Sequence, residues 1–255
     1  MGRVLAVVSQ KGGVGKTTTS VNLAAAFARR GLKTLLIDVD PQGAVRYGAG
    51  LRKGAPTHGF ADYLSGTRTL REVLLPTVLP WLRVILAGSV TDESDHSRYI
   101  TLVSRTDVLR DLLRLARERC DIVVVDTPPG LGPVVQQVLC ASERVVVPLQ
   151  CEPLALQTTP QILRGIQEIV ASNEELTLDG ILLTMYEPGN VSSERIAEYV
   201  RTHLPANVVF DVVIPRTYAT VDAFAAGQPV VLRTPADPAA QAYVNLATLL
   251  AGRLR

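Results

Sequence analysis

The chain has 255 residues, of which 47% are hydrophobic, 20% are charged and 5% are aromatic, a composition too apolar for a disordered protein. Its 26 basic and 24 acidic residues give a net charge of +2, which excludes a strongly basic nucleic-acid-binding protein and leaves only a local basic patch for such a role. No apolar run approaches the ~18 residues of a transmembrane helix, and the first residues lack the pattern of a signal peptide.

Short aliphatic runs alternate with longer amphipathic segments along the chain. The short runs are rich in Val, Ile and Leu without strict alternation, which is typical of strands covered on both faces. They predict strands at residues 3–9, 34–38, 83–87, 121–126, 144–149, 180–185 and 208–214. The amphipathic segments predict helices at residues 16–30, 107–119, 156–172, 192–203 and 238–253. Gly31 follows the first of these helices, where a C-terminal cap belongs.

This alternation of strands and helices predicts an α/β fold, namely a doubly wound, mostly parallel sheet flanked by helices. The sequence contains no internal repeat and no low-complexity linker. Residues 43–69 and 88–100 contain Gly and Ser and are predicted to be excursions from one domain. We therefore expect residues 1–255 to form a single domain.

The strongest functional signal is the segment QKGGVGKTT at residues 10–18, which follows the first predicted strand and opens the first predicted helix. This context predicts a phosphate-binding loop. Glycines allow backbone N–H groups to turn toward phosphate oxygens, and the N-terminus of the helix adds a positive dipole end. The predicted phosphate-contacting residues are Lys11, Gly12, Gly13, Val14, Gly15, Lys16, Thr17 and Thr18.

Two features of this loop predict its ligand. Lys16 supplies a point charge to the outer phosphates, and the Thr17 hydroxyl is predicted to bind Mg²⁺. Gln10 stands where the ordinary GxxxxGK[ST] pattern has glycine, and Lys11 adds a second cation inside the loop. Two neighbouring cations repel each other unless several negative charges compensate, so the loop predicts a nucleoside triphosphate as the ligand.

Three carboxylates follow predicted strands. Asp38 and Asp40 lie at the end of the second strand, and residues two apart in extended backbone share a face, so both are predicted to point toward the metal and the attacking water. Asp126 ends the strand IVVVD, where a Walker B acid holds Mg²⁺. The predicted metal ligands are therefore Thr17, Asp38 and Asp126. The Pro-Pro-Gly segment at 128–130 is a candidate sensor of the γ-phosphate.

The motifs together resemble a known family. They are KGGVGKTT at 11–18, DVDPQG at 38–43, DTPPGLG at 126–132, VPLQCEPLAL at 147–156, LLTMY at 182–186 and VIPR at 213–216. With these motifs the chain resembles the ParA/MinD family of P-loop ATPases with a deviant Walker A motif, and within it the short, Soj-like ParA proteins. The resemblance extends from residue 4 to about residue 245.

The resemblance implies ATP and Mg²⁺ as cofactors and assigns roles to the site. Lys11 looks like the signature lysine that contacts the partner subunit's nucleotide across an ATP-sandwich homodimer. Asp40 looks like the switch acid that positions the hydrolytic water, so the implied catalytic set is Lys11, Lys16 and Asp40. Pro215 and Thr217 are the implied adenine contacts, although the family often has Asn where Thr217 stands.

The resemblance also implies a function in chromosome or plasmid partition. In the family, an ATP-dependent homodimer binds DNA without sequence preference, and a ParB-like or other adaptor protein stimulates its slow hydrolysis. A cytoplasmic, nucleoid-associated location follows. The candidate DNA contacts are Arg195, Arg201, Arg216 and Arg233. We expect no N-terminal helix-turn-helix extension, and hence no operator-specific repression.

Other members of the same fold remain alternatives. The same ATPase cycle could position a protein cargo, and an amide-forming synthetase would need a substrate pocket that the sequence does not reveal. A MinD-like membrane cycle requires a basic amphipathic C-terminal helix, whereas residues 243–255 carry two basic side chains, so membrane binding is not expected. Cys120, Cys140 and Cys151 lack metal-binding spacing, which argues against an iron–sulfur protein and predicts free thiols in a reducing cytosol.

Overall fold

The chain folds around a seven-stranded sheet in a computed structural model that describes residues 2–51, 54–90, 92–105, 107–153, 155–171 and 173–253. The strands are β1 (Arg3–Val7), β2 (Thr34–Asp38), β3 (Leu75–Pro76), β4 (Leu82–Ile85), β5 (Ile122–Asp126), β6 (Arg144–Gln150) and β7 (Thr177–Thr184). Their order in the sheet is β3-β4-β2-β5-β1-β6-β7. Every neighbouring pair is parallel except β3 and β4, so the predicted α/β class with a mostly parallel sheet is confirmed.

Helices cover both faces of the sheet. They are α1 (Lys16–Arg29), α2 (Phe60–Leu64), α3 (Leu70–Val73), α4 (Glu93–Arg105), α5 (Val108–Arg119), α6 (Pro133–Cys140), α7 (Ala155–Val170), α8 (Val191–His203), α9 (Tyr218–Ala225), α10 (Val230–Arg233) and α11 (Pro238–Arg253). One apolar core joins the sheet to α2–α8, and a second joins it to α1 and α9–α11. Because helices cover both faces of the sheet, the sequences of its central strands are continuous apolar runs.

Helix α1 is the central helix of the second face. It is buried from Thr19 to Ala28 and packs against the sheet, α10 and α11. Its run of small alanines permits this close approach on several sides. The expected C-terminal cap is confirmed, because Gly31 has a φ of 82° and donates its N–H to the carbonyl of Ala28 at 3.0 Å.

The predicted strand at 208–214 is wrong. A short 3₁₀ turn occupies Ala206–Val208, and the residues after it run along β7 without forming a continuous ladder. Phe210 donates its N–H to the carbonyl of Ile181, and Ile214 donates to the carbonyl of Leu183. Both side chains are buried. The apolar run therefore signals burial, which periodicity alone does not distinguish from strand pairing.

The other predicted elements are present with ends displaced by a few residues, and the last residue of the predicted 156–172 helix lies outside the described residues. Elements that the sequence analysis missed are α2, α3, α4, α6, α9, α10 and β3. Helix α4 begins inside the predicted excursion at 88–100. Pro133 at the first position of α6 is a helix-start signal that could have revealed α6.

Within the part of the chain that the structure describes, no helix combines the length and hydropathy needed to cross a bilayer.

Candidate functional site

The parallel register brings the predicted site residues to one edge of the sheet. Strand β5 lies between β1 and β2, so Asp126 is the register partner of both Val7 and Asp38. The phosphate loop leaves β1 toward one face through α1, whereas the chain leaves β5 toward the other face through α6. Adjacent strands whose connections diverge open a crevice at their carboxyl ends, which is the usual ligand site of such sheets.

The phosphate loop has a conformation that only glycine adopts readily. Gly13 and Gly15 have φ values of 80° and 86°, and Gly15 is the N-cap of α1. The first N–H groups of α1 have no acceptor within the helix, so they remain available to an anion at the positive end of the helix dipole. The loop is held from outside by the Thr184 hydroxyl, which donates to the Val14 carbonyl at 2.9 Å.

Beneath the loop, two hydroxyls converge on a buried carboxylate. Thr17 Oγ1 donates to Asp126 Oδ2 at 2.7 Å, and Ser20 Oγ donates to Asp126 Oδ1 at 2.7 Å. Burial raises the pKa of Asp126 to about 6, although the two hydroxyl bonds and the charge of Lys16 act in the opposite direction. Burial also lowers the pKa of Lys16, and the carboxylates of Asp126 and Asp40 offset part of this change.

The oxygens of Thr17 and Asp126 fit a magnesium ion that also binds phosphate oxygens. Among the described residues, no three His, Cys, Asp or Glu side chains cluster closely enough to hold a metal by themselves. Mg²⁺ commonly binds through one or two protein oxygens and completes its shell with substrate phosphates and water. Thr17 and Asp126 supply such oxygens beside Lys16, so the donor set fits Mg²⁺ together with a phosphorylated ligand.

Asp38 is fully buried and orders the segment that follows β2. Its Oδ1 accepts the N–H of Asp40 at 3.0 Å, and its Oδ2 accepts the N–H of Val45 at 3.2 Å. Burial, together with the neighbouring Asp126, raises the pKa of Asp38 well above its ordinary value. In this structure the carboxylate serves the backbone of the 38–45 loop, and its role as a metal ligand stays a prediction.

Asp40 lies at the end of the same segment and is 9% exposed. Its Oδ1 accepts the N–H of Gln42 at 3.0 Å, and it is close enough to Lys16 to influence the pKa of that lysine. The backbone between the two aspartates is fixed by Tyr99 of α4, whose hydroxyl donates to the Val39 carbonyl at 2.8 Å. The sequence analysis did not identify Tyr99, because α4 itself was missed.

We expect Tyr99→Phe to lower the free energy of unfolding by about 1–3 kcal/mol, because it leaves the buried Val39 carbonyl without its hydroxyl donor. Urea unfolding followed by circular dichroism measures this difference. Tyr63→Phe is the matched control, since Tyr63 is only partly buried. An unfolding midpoint equal to that of the wild type would show that the hydroxyl does not stabilise the loop.

Lys11 forms an ion pair within the chain. Its Nζ donates to Glu152 Oε1 at 2.6 Å, and both side chains are partly exposed. Glu152 lies two residues after the end of β6. The sequence analysis named Lys11 but not Glu152, and no local pattern marks that glutamate as its partner. An interaction of Lys11 with a second subunit would require this ion pair to open, and that role stays a prediction.

A cavity of about 610 Å³ extends from the phosphate loop toward α9. Its lining includes Gly15 and Thr18 as well as the predicted base contacts Pro215 and Thr217. The Thr217 hydroxyl is already engaged, since it donates to Asp237 Oδ1 at 3.0 Å and accepts the N–H of Thr220 at 3.4 Å. It therefore caps α9, and its contact with a base stays a prediction.

The four arginines proposed for DNA lie in different surroundings. Arg195 and Arg201 are exposed on α8, and Arg233 lies at the end of α10. Arg216 instead lines the cavity, and its Nε donates to Glu187 Oε1 at 2.8 Å. This ion pair neutralises part of its charge. The DNA contacts of all four residues stay predictions.

Comparison with known proteins identifies relatives along nearly the whole chain. Residues 2–178 match the AAA_31 family model, which describes an AAA domain. The chain is 38% identical to the chromosome partitioning protein ParA of Caulobacter vibrioides (strain NA1000 / CB15N), over 99% of this chain and 95% of that protein. It is 34% identical to the sporulation initiation inhibitor protein Soj of Bacillus subtilis (strain 168), over 97% of each.

Solved structures of similar proteins share the fold. Cobyrinic acid a,c-diamide synthase from Mycobacterium smegmatis, with bound ADP and magnesium, aligns with a TM-score of 0.79 and 30% identity over 98% of this chain and 94% of that one. MinD from Pyrococcus horikoshii OT3, complexed with Mg-ADP, aligns with a TM-score of 0.77 and 22% identity over 100% and 99% of the two chains. By its sequence and its fold, the chain belongs to the ParA/Soj family of chromosome-partitioning P-loop ATPases.

Proposed function

We propose that this chain is a partition ATPase that binds Mg²⁺ and ATP in the crevice, dimerises around the nucleotide, and binds DNA without sequence preference as the dimer. A ParB-like or other adaptor protein then stimulates hydrolysis, which is slow without it. The observation that carries this proposal is the convergence of Thr17, Asp126 and Lys16 beneath the glycine loop. A cytoplasmic, nucleoid-associated location follows from this cycle.

Each residue of the crevice has a distinct task in this proposal. The backbone of Gly12–Thr18 and the ammonium of Lys16 hold the β- and γ-phosphates. Thr17 and Asp126 hold Mg²⁺, which when bound neutralises charge on the phosphates. Asp40 orients the attacking water and accepts its proton. The bonds from Asp38 and Tyr99 keep Asp40 in place before the nucleotide arrives.

Lys11 couples the nucleotide to dimerisation. Its ion pair with Glu152 is partly exposed and therefore weak, so a nearby triphosphate can compete for the lysine. When two phosphate sites face each other, their negative charges repel unless each subunit contributes a cation. Lys11 supplies that cation, so the stability of the dimer depends on the γ-phosphate and falls after hydrolysis.

We expect Lys11→Ala to bind ATP with near-normal affinity but to weaken the ATP-dependent dimer at least about 10-fold, because one charge-assisted contact per subunit is lost. Sedimentation of the protein with Mg-ATP over a concentration series measures the change. Lys33→Ala removes a lysine elsewhere on the chain and is the control. Loss of nucleotide binding itself would instead assign Lys11 to its own subunit's site.

The DNA step follows from avidity. Because the net charge of one subunit is only +2, its affinity for DNA is weak, and pairing two subunits raises the overall affinity without any new contact. The decisive experiment measures binding to two unrelated DNA duplexes over a salt series with ATP, with ADP and without nucleotide. We expect salt-sensitive binding of both duplexes only with ATP. Absence of DNA binding in every state would instead favour a membrane-cycling protein or a biosynthetic enzyme.

A further inference from the structure

Ser20 is a buried serine of α1 to which the proposed function gives no task. Its hydroxyl donates to Asp126 Oδ1 at 2.7 Å and also lies 3.1 Å from the Lys16 carbonyl, the usual partner of a serine inside a helix. A hydroxyl has one proton, and the shorter bond to an ionised acceptor is the stronger of the two. The proton of Ser20 therefore serves mainly the carboxylate of Asp126.

Two donors on different oxygens fix the plane of this carboxylate. Thr17 donates to Oδ2 of Asp126, and Ser20 donates to Oδ1. The last torsion of an aspartate has a broad energy minimum, so a single hydrogen bond would leave the carboxylate free to rotate about its Cβ–Cγ bond. With both bonds in place, each oxygen still keeps a lone pair for another partner. Asp126 is therefore held in one orientation before any ligand arrives.

Ser20 itself lies away from the ligand. The cavity of about 610 Å³ is lined by Thr18 of the same helix but not by Ser20, which has no exposed surface. The predicted phosphate contacts also end at Thr18. The next hydroxyl along the helix, that of Thr19, lies 3.4 Å from the hydroxyl oxygen of Tyr243. Ser20 therefore acts on a bound ligand only through Asp126, as a positioning residue.

We propose that Ser20 is the positioning residue that fixes the Asp126 carboxylate for Mg²⁺ and so gives the site its preference for Mg²⁺ over Ca²⁺. Mg²⁺ requires a near-ideal octahedral shell at ~2.0–2.1 Å, whereas Ca²⁺ accepts about six to eight oxygens at ~2.3–2.6 Å in varied geometry. A carboxylate of fixed orientation therefore favours the smaller ion, and one that rotates freely suits the larger ion as well. The inference rests on the proposed function, since it takes a metal–nucleotide complex as the ligand.

Calorimetric titration of the full chain with ADP in the presence of EDTA, Mg²⁺ or Ca²⁺ tests this inference. The proposed reaction does not hydrolyse ADP, and the ratio of its affinity with a metal to its affinity with EDTA measures the response to that metal. We expect Ser20→Ala to reduce the Mg²⁺ response about tenfold, the lower end of the effect usual for groups that orient a metal ligand. The Ca²⁺ response should fall less, and the affinity with EDTA should not change. Ser20→Cys keeps the size of the side chain but donates only weakly, so it should show the same loss.

Thr19→Val is the matched control, because it removes a neighbouring buried hydroxyl that faces Tyr243 instead of Asp126. It should keep both metal responses of the wild type. An unchanged Mg²⁺ response in Ser20→Ala would overturn the inference, and so would an equal loss of both metal responses. ADP binding weakened to the same degree with EDTA as with either metal would show a general structural defect and would also contradict it. A wild-type protein that binds no ADP under any of these conditions would instead overturn the proposed function.

Discussion

Asp40→Ala should hydrolyse ATP at least about 100-fold more slowly than the wild type while binding it at least as tightly, because a positioned general base contributes about 10²–10⁴-fold. The carboxylate is nearly buried and lies close enough to Lys16 to influence the pKa of that lysine. The backbone N–H of Asp40 donates to Asp38, and the preceding Val39 carbonyl accepts the Tyr99 hydroxyl. Removal of the carboxylate deletes one negative charge near the phosphates, so binding of ATP does not weaken. With hydrolysis blocked, the ATP-bound dimer should accumulate.

Phosphate release and light scattering after size exclusion with Mg-ATP measure the two effects. Asp111→Ala is the control, since it deletes the same charge from an exposed position on α5. A variant that stays monomeric although ATP is bound would separate Asp40 from the dimerisation cycle. Hydrolysis at the wild-type rate, with or without an activating partner, would remove Asp40 from the catalytic step.

Much of the fold follows from simple sequence patterns. Strands β1, β2 and β5 are buried, so their sequences are short apolar runs rich in Val, Ile and Leu, and this composition predicted them as strands. The run at 208–214 has the same composition but a different structure, because its buried side chains pack beside β7 while its backbone makes only scattered bonds to that strand. Composition reports burial, and only the partner strand decides whether a ladder forms.

The residues of the site likewise divide into those that local sequence patterns predict and those that only tertiary contacts reveal. The glycine loop and the strand-ending aspartates are local patterns, and the parallel register of β2, β5 and β1 brings them together. Ser20, Tyr99 and Glu152 could not be predicted, because each acts through a contact with a residue far away in the sequence. Serine, tyrosine and glutamate occur at many surface positions without such a role. Their importance depends on tertiary packing, which no local pattern contains.

Asp126→Asn should stabilise the nucleotide-free protein at neutral pH and at the same time abolish its stabilisation by Mg-ATP. In the wild type, burial raises the pKa of Asp126 from 3.8 to about 6, so the charged form that prevails at neutral pH destabilises the fold. This difference in pKa corresponds to at most about 3 kcal/mol. Asparagine keeps the shape of the side chain and can still bond to Thr17 and Ser20, but it carries no charge.

The pH dependence identifies the cause. As the pH rises from about 4 to about 6, the unfolded chain releases the Asp126 proton before the folded protein does, so the stability of the wild type falls over that range and then stays at the lower level. The Asp126→Asn variant has no carboxylate at this position and does not lose stability over that pH range. Its advantage in the free energy of unfolding should therefore be absent near pH 4, grow toward pH 6 and remain constant above it. The neutral amide of this variant would also cease to raise the pKa of Asp38, which acts in the same direction.

Thermal unfolding at several pH values, without ligand, with ATP and EDTA, and with ATP and Mg²⁺, measures both effects, and Asp111→Asn serves as the exposed control. A nucleotide-free variant less stable than the wild type at pH 8 would show that the hydroxyl bonds to the carboxylate outweigh its burial. If the variant is both more stable without ligand and no longer stabilised by Mg-ATP, the two effects have one origin. The charge that destabilises the empty crevice is the charge that Mg²⁺ neutralises, so the free energy lost in the nucleotide-free protein is recovered when the metal and nucleotide bind.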